Sequence, residues 1–431
     1  MKRNRRMKSI LVLSLIFIIA FTLVGGCAKP TAPAPSPAPA PEKSDGPAQE
    51  IRFDRNIKIG IVDTYTGPPT VYTYDARDGF TLAAKEINAE GIHGAKIEFV
   101  TRDEEFKPDK ALSWARELIT REGVDVLCGF MSSASALAVS EYVKDEKVPT
   151  VVWMAQTEKI TGEAGHRYIF HVIPNTRMSG RAAARYLADL PYTRFALVGS
   201  DFEFGHAIIN TFWKTMTELN PKAEKVVETF WPVGEPDFTP YISAIRAAKP
   251  EVVVAAPGGA DQIPLTKAIG AAKLAEEMVV YLHIGTDHAG LVALGQEAPE
   301  GMYGSSPYHY YYPDTPENKA FVEKFHAEYG RYPNFAGFNG YITAHLIAEA
   351  YRKAGSLDTE AFIDAFEGLS INSPVGQVTM REYDHQLIQP FFIGKTVKDP
   401  GKDYLIATDI VMISGEDAIP PLEEIKKIRG E

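Results

Sequence analysis

Residues Val126–Val139 read Val-Leu-Cys-Gly-Phe-Met-Ser-Ser-Ala-Ser-Ala-Leu-Ala-Val. Three apolar residues, Val126, Leu127 and Cys128, run into a turn at Gly129. Ser132, Ser133 and Ser135 then open an Ala/Leu/Val run that favours helix. Strand, tight turn and helix start make half of a βαβ unit. The first turn of a helix carries backbone N–H groups without partners and the positive end of the dipole. Small hydroxyl residues there let an anion approach the backbone and add donors of their own. Ser132, Ser133 and Ser135 are therefore expected to form the floor of a site for a small carboxylate. The plainer reading of the same serines is a helix cap, and the stretch alone favours the cap.

Outward from this stretch the same alternation repeats. Apolar-alternating residues 56–62 predict a strand, and residues 63–69, with Gly67, Pro68 and Pro69, a turn. Phe80, Leu82, Ala83, Ala84 and Ile87 space an amphipathic helix over 78–89. Strands follow at 96–101, 124–128 and 148–154, with a helix at 109–122. A second series has strands at 195–198, 226–231, 252–256 and 278–284, with helices at 207–219, 238–248 and 262–272. The last third is mixed, with helices at 315–329, 336–354 and 359–366 and strands at 374–379, 389–396 and 406–413. Strands alternating with helices at this spacing imply parallel βαβ units. Two such series predict an α/β protein of two doubly wound parallel-sheet lobes with a cleft between them.

The 431 residues suffice for two domains with sizeable cores, and 45% hydrophobic with 23% charged residues suits a soluble globular body. The formal charge is -11; residues 1–26 carry five basic residues and no acid, so the remainder stands at -16. An acidic body excludes nucleic acid as a partner, because phosphate binding needs basic patches. Residues 1–9 are basic and 10–24 nearly all apolar, too short for a comfortable membrane span but right for a signal-peptide core. The ending Leu23-Val-Gly-Gly-Cys27 resembles bacterial lipoprotein signals. That resemblance implies a signal peptide over 1–26, lipidation at Cys27 and a membrane anchor of two or more acyl chains. Residues 27–55 begin with alternating prolines that favour polyproline II, a semi-rigid tether.

Nothing in the chain supplies a catalytic set. There is no HExxH, no cysteine–histidine metal spacing, no GxSxG elbow and no Walker-type phosphate loop. The ten histidines are scattered, and Cys128 sits inside an apolar strand, where a thiol usually packs. No enzyme activity, cofactor or metal is expected.

Several segments, in order, carry a family resemblance. They are Ile57-Lys-Ile-Gly-Ile61, Tyr65-Thr-Gly-Pro68, Ala83-Ala-Lys-Glu-Ile-Asn88 and Gly91-Ile-His-Gly94, then Leu127–Ser133. Phe238-Thr-Pro-Tyr-Ile-Ser-Ala-Ile-Arg-Ala-Ala-Lys-Pro250, Tyr329-Gly-Arg-Tyr-Pro333 and Ser373-Pro-Val-Gly-Gln-Val378 follow. Residues 56–413 thereby resemble the leucine/isoleucine/valine-binding family, the type I periplasmic-binding fold that feeds ABC importers. The resemblance implies lobes joined by three crossovers that close on a ligand at the carboxyl ends of the strands. Lobe 1 would hold 56–172 and 302–373, lobe 2 173–301 and 374–413, and 414–431 would be a polar tail.

Carried over by position, the resemblance puts the ligand carboxylate at Met131, Ser132 and Ser133. The next loop falls on Met154, Ala155 and Gln156, with Thr157 as a possible hydroxyl donor. In the second lobe the family's aromatic falls on Phe204, and the acid facing a ligand ammonium on Asp287, which reads equally as a surface or capping acid. A family tyrosine falls near Gly258, where the side chain is missing; Tyr65 and Tyr72 on the first loop would partly replace it. Trp153, standing where the family has a small residue, either narrows the cleft or packs behind it. The implied ligand is a hydrophobic or branched-chain amino acid, with short amides, urea and aromatic carboxylates as alternatives. The implied partner is an ABC permease, the alternative being a membrane receptor that reads the ligand.

Overall fold

The computed structural model describes residues 51–431 apart from 68 and 69. The signal peptide, Cys27 and the proline-rich part of the tether lie outside the described residues.

The first sheet contains β1 (Ile57–Asp63), β2 (Ile97–Asp103), β3 (Val126–Gly129), β4 (Thr150–Val152) and β5 (Ile169–His171). Its order is β2-β1-β3-β4-β5, all parallel. Residue alternation divides its two faces. Ile57, Ile59, Ile61, Val126 and Cys128 enter one core with α1 (Thr70–Glu90), while Val62, Leu127 and Val152 enter another with α2 (Pro108–Glu117) and α3 (Ser133–Glu146).

The chain then crosses into α4 (Thr176–Ala188) and a second alternating series. This comprises β6 (Arg194–Ser200), α5 (Glu203–Leu219), β7 (Glu224–Trp231), α6 (Thr239–Ala248), β8 (Val252–Ala256), α7 (Gln262–Ala271), α8 (Leu274–Glu277), β9 (Val279–Leu282), α9 (His288–Leu294) and β10 (Tyr303–Ser306). A return passage leads to α10 (Pro316–Tyr329), α11 (Phe335–Ala354), α12 (Thr359–Phe366) and a small antiparallel sheet of β11 (Ser370–Ser373), β12 (Gly376–Met380) and β13 (Leu387–Ile388). Val375, Val378, Met380 and Leu387 belong to the core of the first sheet. A third passage enters β14 (Phe391–Lys398) and β15 (Leu405–Ile413), which complete a seven-stranded sheet of order β15-β14-β10-β9-β8-β6-β7. The expected α/β architecture of two sheets with three passages between them is present; the first sheet is wholly parallel, and the second is parallel except for β14, which runs against β10 and β15. Among the described residues no helix is long and apolar enough to cross a membrane.

Several local expectations differ from the structure. α1 starts at Thr70, not 78, so Tyr72 stands on its first turn. That turn is tied down by polar contacts, Thr73 Oγ1 to Thr64 O and Asp75 to Arg331, which leave no apolar period to read. β10 reads Tyr-Gly-Ser-Ser and is a strand because β9 and β14 flank it. It therefore lies in the second sheet, although lobe 1 was expected to resume at 302. Likewise, 374–388 stay with the first sheet's core, beyond the expected crossing at 374. The polar tail forms α13 (Gly415–Ala418) and α14 (Leu422–Arg429). Ala418 and Ile419 are buried against Met178, Ala182 and Phe391, and Arg429 Nη2 donates to Thr161 O at 3.0 Å.

α1 and α11 pack through glycines. A Cβ at Gly79 would lie 1.9 Å from Gly337 O, and one at Gly340 1.8 Å from Ala76 O. Both contacts are with backbone, which cannot rotate away. Gly340→Ala is expected to destabilise the protein by about 3 kcal/mol, as overpacking of a tight core does. Thermal denaturation checks this; an unchanged midpoint would mean the helices are free to separate.

Candidate functional site

Both sheets bring their carboxyl-end turns together, and the site is assembled from these turns. On the first sheet, the β3–α3 turn passes through Gly129 (φ +127°) and Phe130 (φ +69°). A Cβ at 129 would lie 2.2 Å from Val62 O, so this turn needs glycine. Ser132 is the N-cap of α3, its Oγ accepting from Ser135 N at 3.3 Å. Ser135 is buried and donates to Glu104, whose other oxygen accepts from Thr64 Oγ1 at 2.8 Å. The three serines thus separate. Ser132 caps, Ser135 faces inward, and Ser133 is half-buried with a hydroxyl that makes no hydrogen bond among the described residues.

The loop after β4 divides in the same way. Trp153 is fully buried behind the site, packed on Phe80 with ring centroids 5.8 Å apart, and donates from Nε1 to Asp63 at 2.7 Å. It packs behind the cleft and does not narrow it. Met154 and Ala155 are buried; Ala155 N donates to Phe130 O at 2.9 Å, and its carbonyl contacts His171 Nε2. Gln156 and Thr157 reach the second sheet instead. Thr157 Oγ1 donates to Glu203 at 3.0 Å, and Gln156 Oε1 lies 3.4 Å from His283 Nε2.

The second wall comes from the starts of α5 and α9 and the ends of β8 and β9. Phe202 and Phe204 stack with centroids 5.9 Å apart, and Phe204 tilts against His283 at 5.5 Å. A Cβ at Gly258 would meet the Phe202 ring at 2.3 Å. The space left by the missing side chain at 258 is thus filled by Phe202, and not by Tyr65 or Tyr72. Tyr65 packs on Tyr74 at 5.5 Å under the Arg77 guanidinium, and Tyr72 on Phe335 at 5.2 Å. Asp287 is fully buried and N-caps α9, with Oδ2 accepting from Gly290 N at 3.2 Å and from Tyr72 OH at 3.1 Å. Its Oδ1 is buried with no partner. Asp287 is a capping acid, then, but one with an oxygen still unmatched.

Burial dominates the titration of these groups. It raises the Asp287 carboxyl to about 7 against the opposing Gly290 and Tyr72 hydrogen bonds. Asp63 is raised to about 7 by the same cause. Burial lowers His283 to about 3, so this imidazole is neutral at physiological pH. Sequence reasoning missed Phe202, His283 and Glu203 here. The alternating pair Phe202 and Phe204 was the available signal for the first; no local pattern marks the others.

Residues 56–402 match a family model described as periplasmic binding protein. The leucine-, isoleucine-, valine-, threonine- and alanine-binding protein of Pseudomonas aeruginosa is 25% identical over 328 residues, 76% of this chain and 86% of that protein. An ABC-type branched-chain amino acid transporter structure from Rhodopseudomonas palustris CGA009 is 26% identical with a TM-score of 0.76, over 85% of this chain and 99% of that one. A solute binding protein of an ABC transporter from Rhodopseudomonas palustris BisB5, in complex with 3,4-dihydroxybenzoic acid, is 26% identical with a TM-score of 0.74, over 84% and 98%. With its two largely parallel sheets, facing carboxyl-end turns and this match over most of its length, the chain belongs to the periplasmic binding protein family, extracytoplasmic solute-binding proteins and not enzymes.

Proposed function

We propose that the cleft captures a small amino-acid-like ligand, with a hydrophobic or branched-chain side chain, for delivery to an ABC permease. One observation carries this reading: a buried carboxylate oxygen without a partner, Asp287 Oδ1, stands on the wall opposite the sheet whose helix start leaves Ser133 unengaged. An ammonium matches the first and a carboxylate the second. Opposite charges attract strongly where water is excluded. Met131 and Ser132 would frame the carboxylate, Gln156 and Thr157 the edge, and Phe202 and Phe204 the apolar side. Tyr72–Asp287, Thr157–Glu203 and Gln156–His283 join the two walls, and contacts made only in the closed form shift the population towards it. The name of the Pseudomonas relative supports this ligand class.

The stacked Phe202 and Phe204 favour a second reading, an aromatic carboxylate, as in the dihydroxybenzoate complex. The charge on Asp287 separates the two. An ammonium lowers its pKa, so binding expels a proton below pH 7 and affinity rises with pH up to about 7. A bare carboxylate raises it further, so binding takes up a proton and affinity falls as pH rises beyond 7. Calorimetric titration of L-leucine and 3,4-dihydroxybenzoate between pH 5.5 and 8.5 reads the sign. Asp287→Asn should abolish the difference in sign between them.

Thermal-shift screening of amino acids, amides and aromatic acids identifies the best ligand. Ser133→Ala should weaken an amino acid about tenfold, and Asp287→Asn about a hundredfold, as lost hydrogen bonds to charged groups do. If both variants bind as the parent does, the site lies elsewhere. The lipid anchor at Cys27 belongs to the same proposal. Cys27→Ser should move the protein from the membrane to the soluble fraction on cell fractionation, and retention in the membrane would refute it.

A further inference from the structure

Asp63 ends β1 and is fully buried. Its Oδ1 accepts from Met131 N at 2.8 Å and Thr64 N at 2.9 Å, and its Oδ2 from the Trp153 indole at 2.7 Å. One carboxylate therefore holds both turns of the first wall, the one after β3 and the one after β4. The turns are also stitched together, Trp153 N to Gly129 O at 3.1 Å and Ala155 N to Phe130 O at 2.9 Å. Phe130 stands at φ +69°, a left-handed conformation that a bulky residue adopts only when its surroundings impose it. Partners outside the turn supply it: Val62 O accepts from Phe130 N at 2.8 Å, Ala155 N donates to Phe130 O, and the Asp63 carboxylate holds the next amide, Met131 N.

We propose that Asp63 is a positioning residue for ligand capture, whose negative charge holds the 129–131 turn so that Ser132 and Ser133 are presented to the cleft. The proposal rests on the cleft reading above. It stands on the donor set: three N–H groups converge on two oxygens, and each needs an acceptor. A protonated Asp63 cannot satisfy all three, because its own O–H would face either the indole or the two backbone amides. The titratable groups near it are Glu104 just past the end of β2, Tyr65 on the loop after β1 and Cys128 on β3. Glu104 pushes Asp63 up, while burial keeps the tyrosine and the thiol neutral. Among the described residues no salt bridge involves Asp63, and burial sets it at about 7. The turn is thereby coupled to proton concentration near neutrality, independently of Asp287.

The test uses the intact chain with 15N-labelled tryptophan, which reports on four indoles, including Trp153. Trp153→Phe identifies the Trp153 resonance by its loss. That resonance is expected to move with a midpoint near pH 7 in the free protein and to stay fixed in Asp63→Asn. In Asp63→Asn an amide N–H faces the indole N–H, so L-leucine and 3,4-dihydroxybenzoate should both weaken about tenfold. Adding Trp153→Phe removes that conflict and should return affinity to within about threefold of Trp153→Phe alone. A resonance indifferent to pH between 5.5 and 8.5, or undiminished affinity in Asp63→Asn, overturns the proposal. So does a double variant as weak as Asp63→Asn, since that is the pattern of simple structural damage. The resonance is read without ligand, so failure of both probes to bind the parent protein would count against the proposed ligands and leave Asp63 to be decided by the indole.

Discussion

All five strands of the first sheet run in one direction, and so do six of the seven in the second, all but β14. Their carboxyl ends, and the turns that leave them, therefore collect on one edge of each sheet. A turn that ends a strand and starts a helix exposes backbone donors without partners. Once two such edges face each other, a site for a small charged molecule needs only a few further side chains. The rest of this molecule makes the two edges firm and keeps them in register.

Firmness comes from buried acids that serve the backbone. Asp63 gathers Thr64, Met131 and Trp153 in the first wall. Asp261 does similar work in the second, accepting from Ser200 Oγ at 2.6 Å, from the Trp231 indole at 3.1 Å and from Gly234 N at 2.7 Å. Each set joins a buried carboxylate, an indole and a backbone amide of a carboxyl-end turn. Desolvating a carboxylate is costly, and the hydrogen bonds offset much of that cost. Asp287 differs from both, since it caps a helix, meets Tyr72 across the cleft and still has one oxygen without a partner. That unmatched oxygen is why the proposed site assigns Asp287 to the ligand, whereas the oxygens of Asp63 and Asp261 are taken up by the turns around them.

Close helix packing does the corresponding work beneath the first sheet. α1 and α11 approach until Gly79 sits against the Gly337 backbone and Gly340 against the Ala76 backbone. α1 carries Tyr72 on its first turn, so this approach sets where the tyrosine stands relative to Asp287. Packing far from the cleft thereby controls a contact inside it.

The order of strands and helices was legible because buried parallel strands leave apolar runs and their helices leave apolar periods. Val126–Gly129 followed by serines announced a strand, a turn and a capped helix, and Ser132 does cap it. What the chain could not announce locally are features made by distant partners. Tyr303–Ser306 is a strand only because β9 and β14 flank it, and the tail after 414 is helical against Met178, Ala182 and Phe391. Trp153 turns away from the cleft because Asp63, ninety positions earlier, accepts its indole N–H. Phe202 fills the gap at Gly258 because sheet order sets β6 beside β8. Sequence by itself determined the alternation of elements, since that depends on neighbours within a few residues. Tertiary structure alone decided which of the serines, acids and aromatics face the cleft, since that depends on hydrogen-bond partners and packing neighbours far apart in the chain.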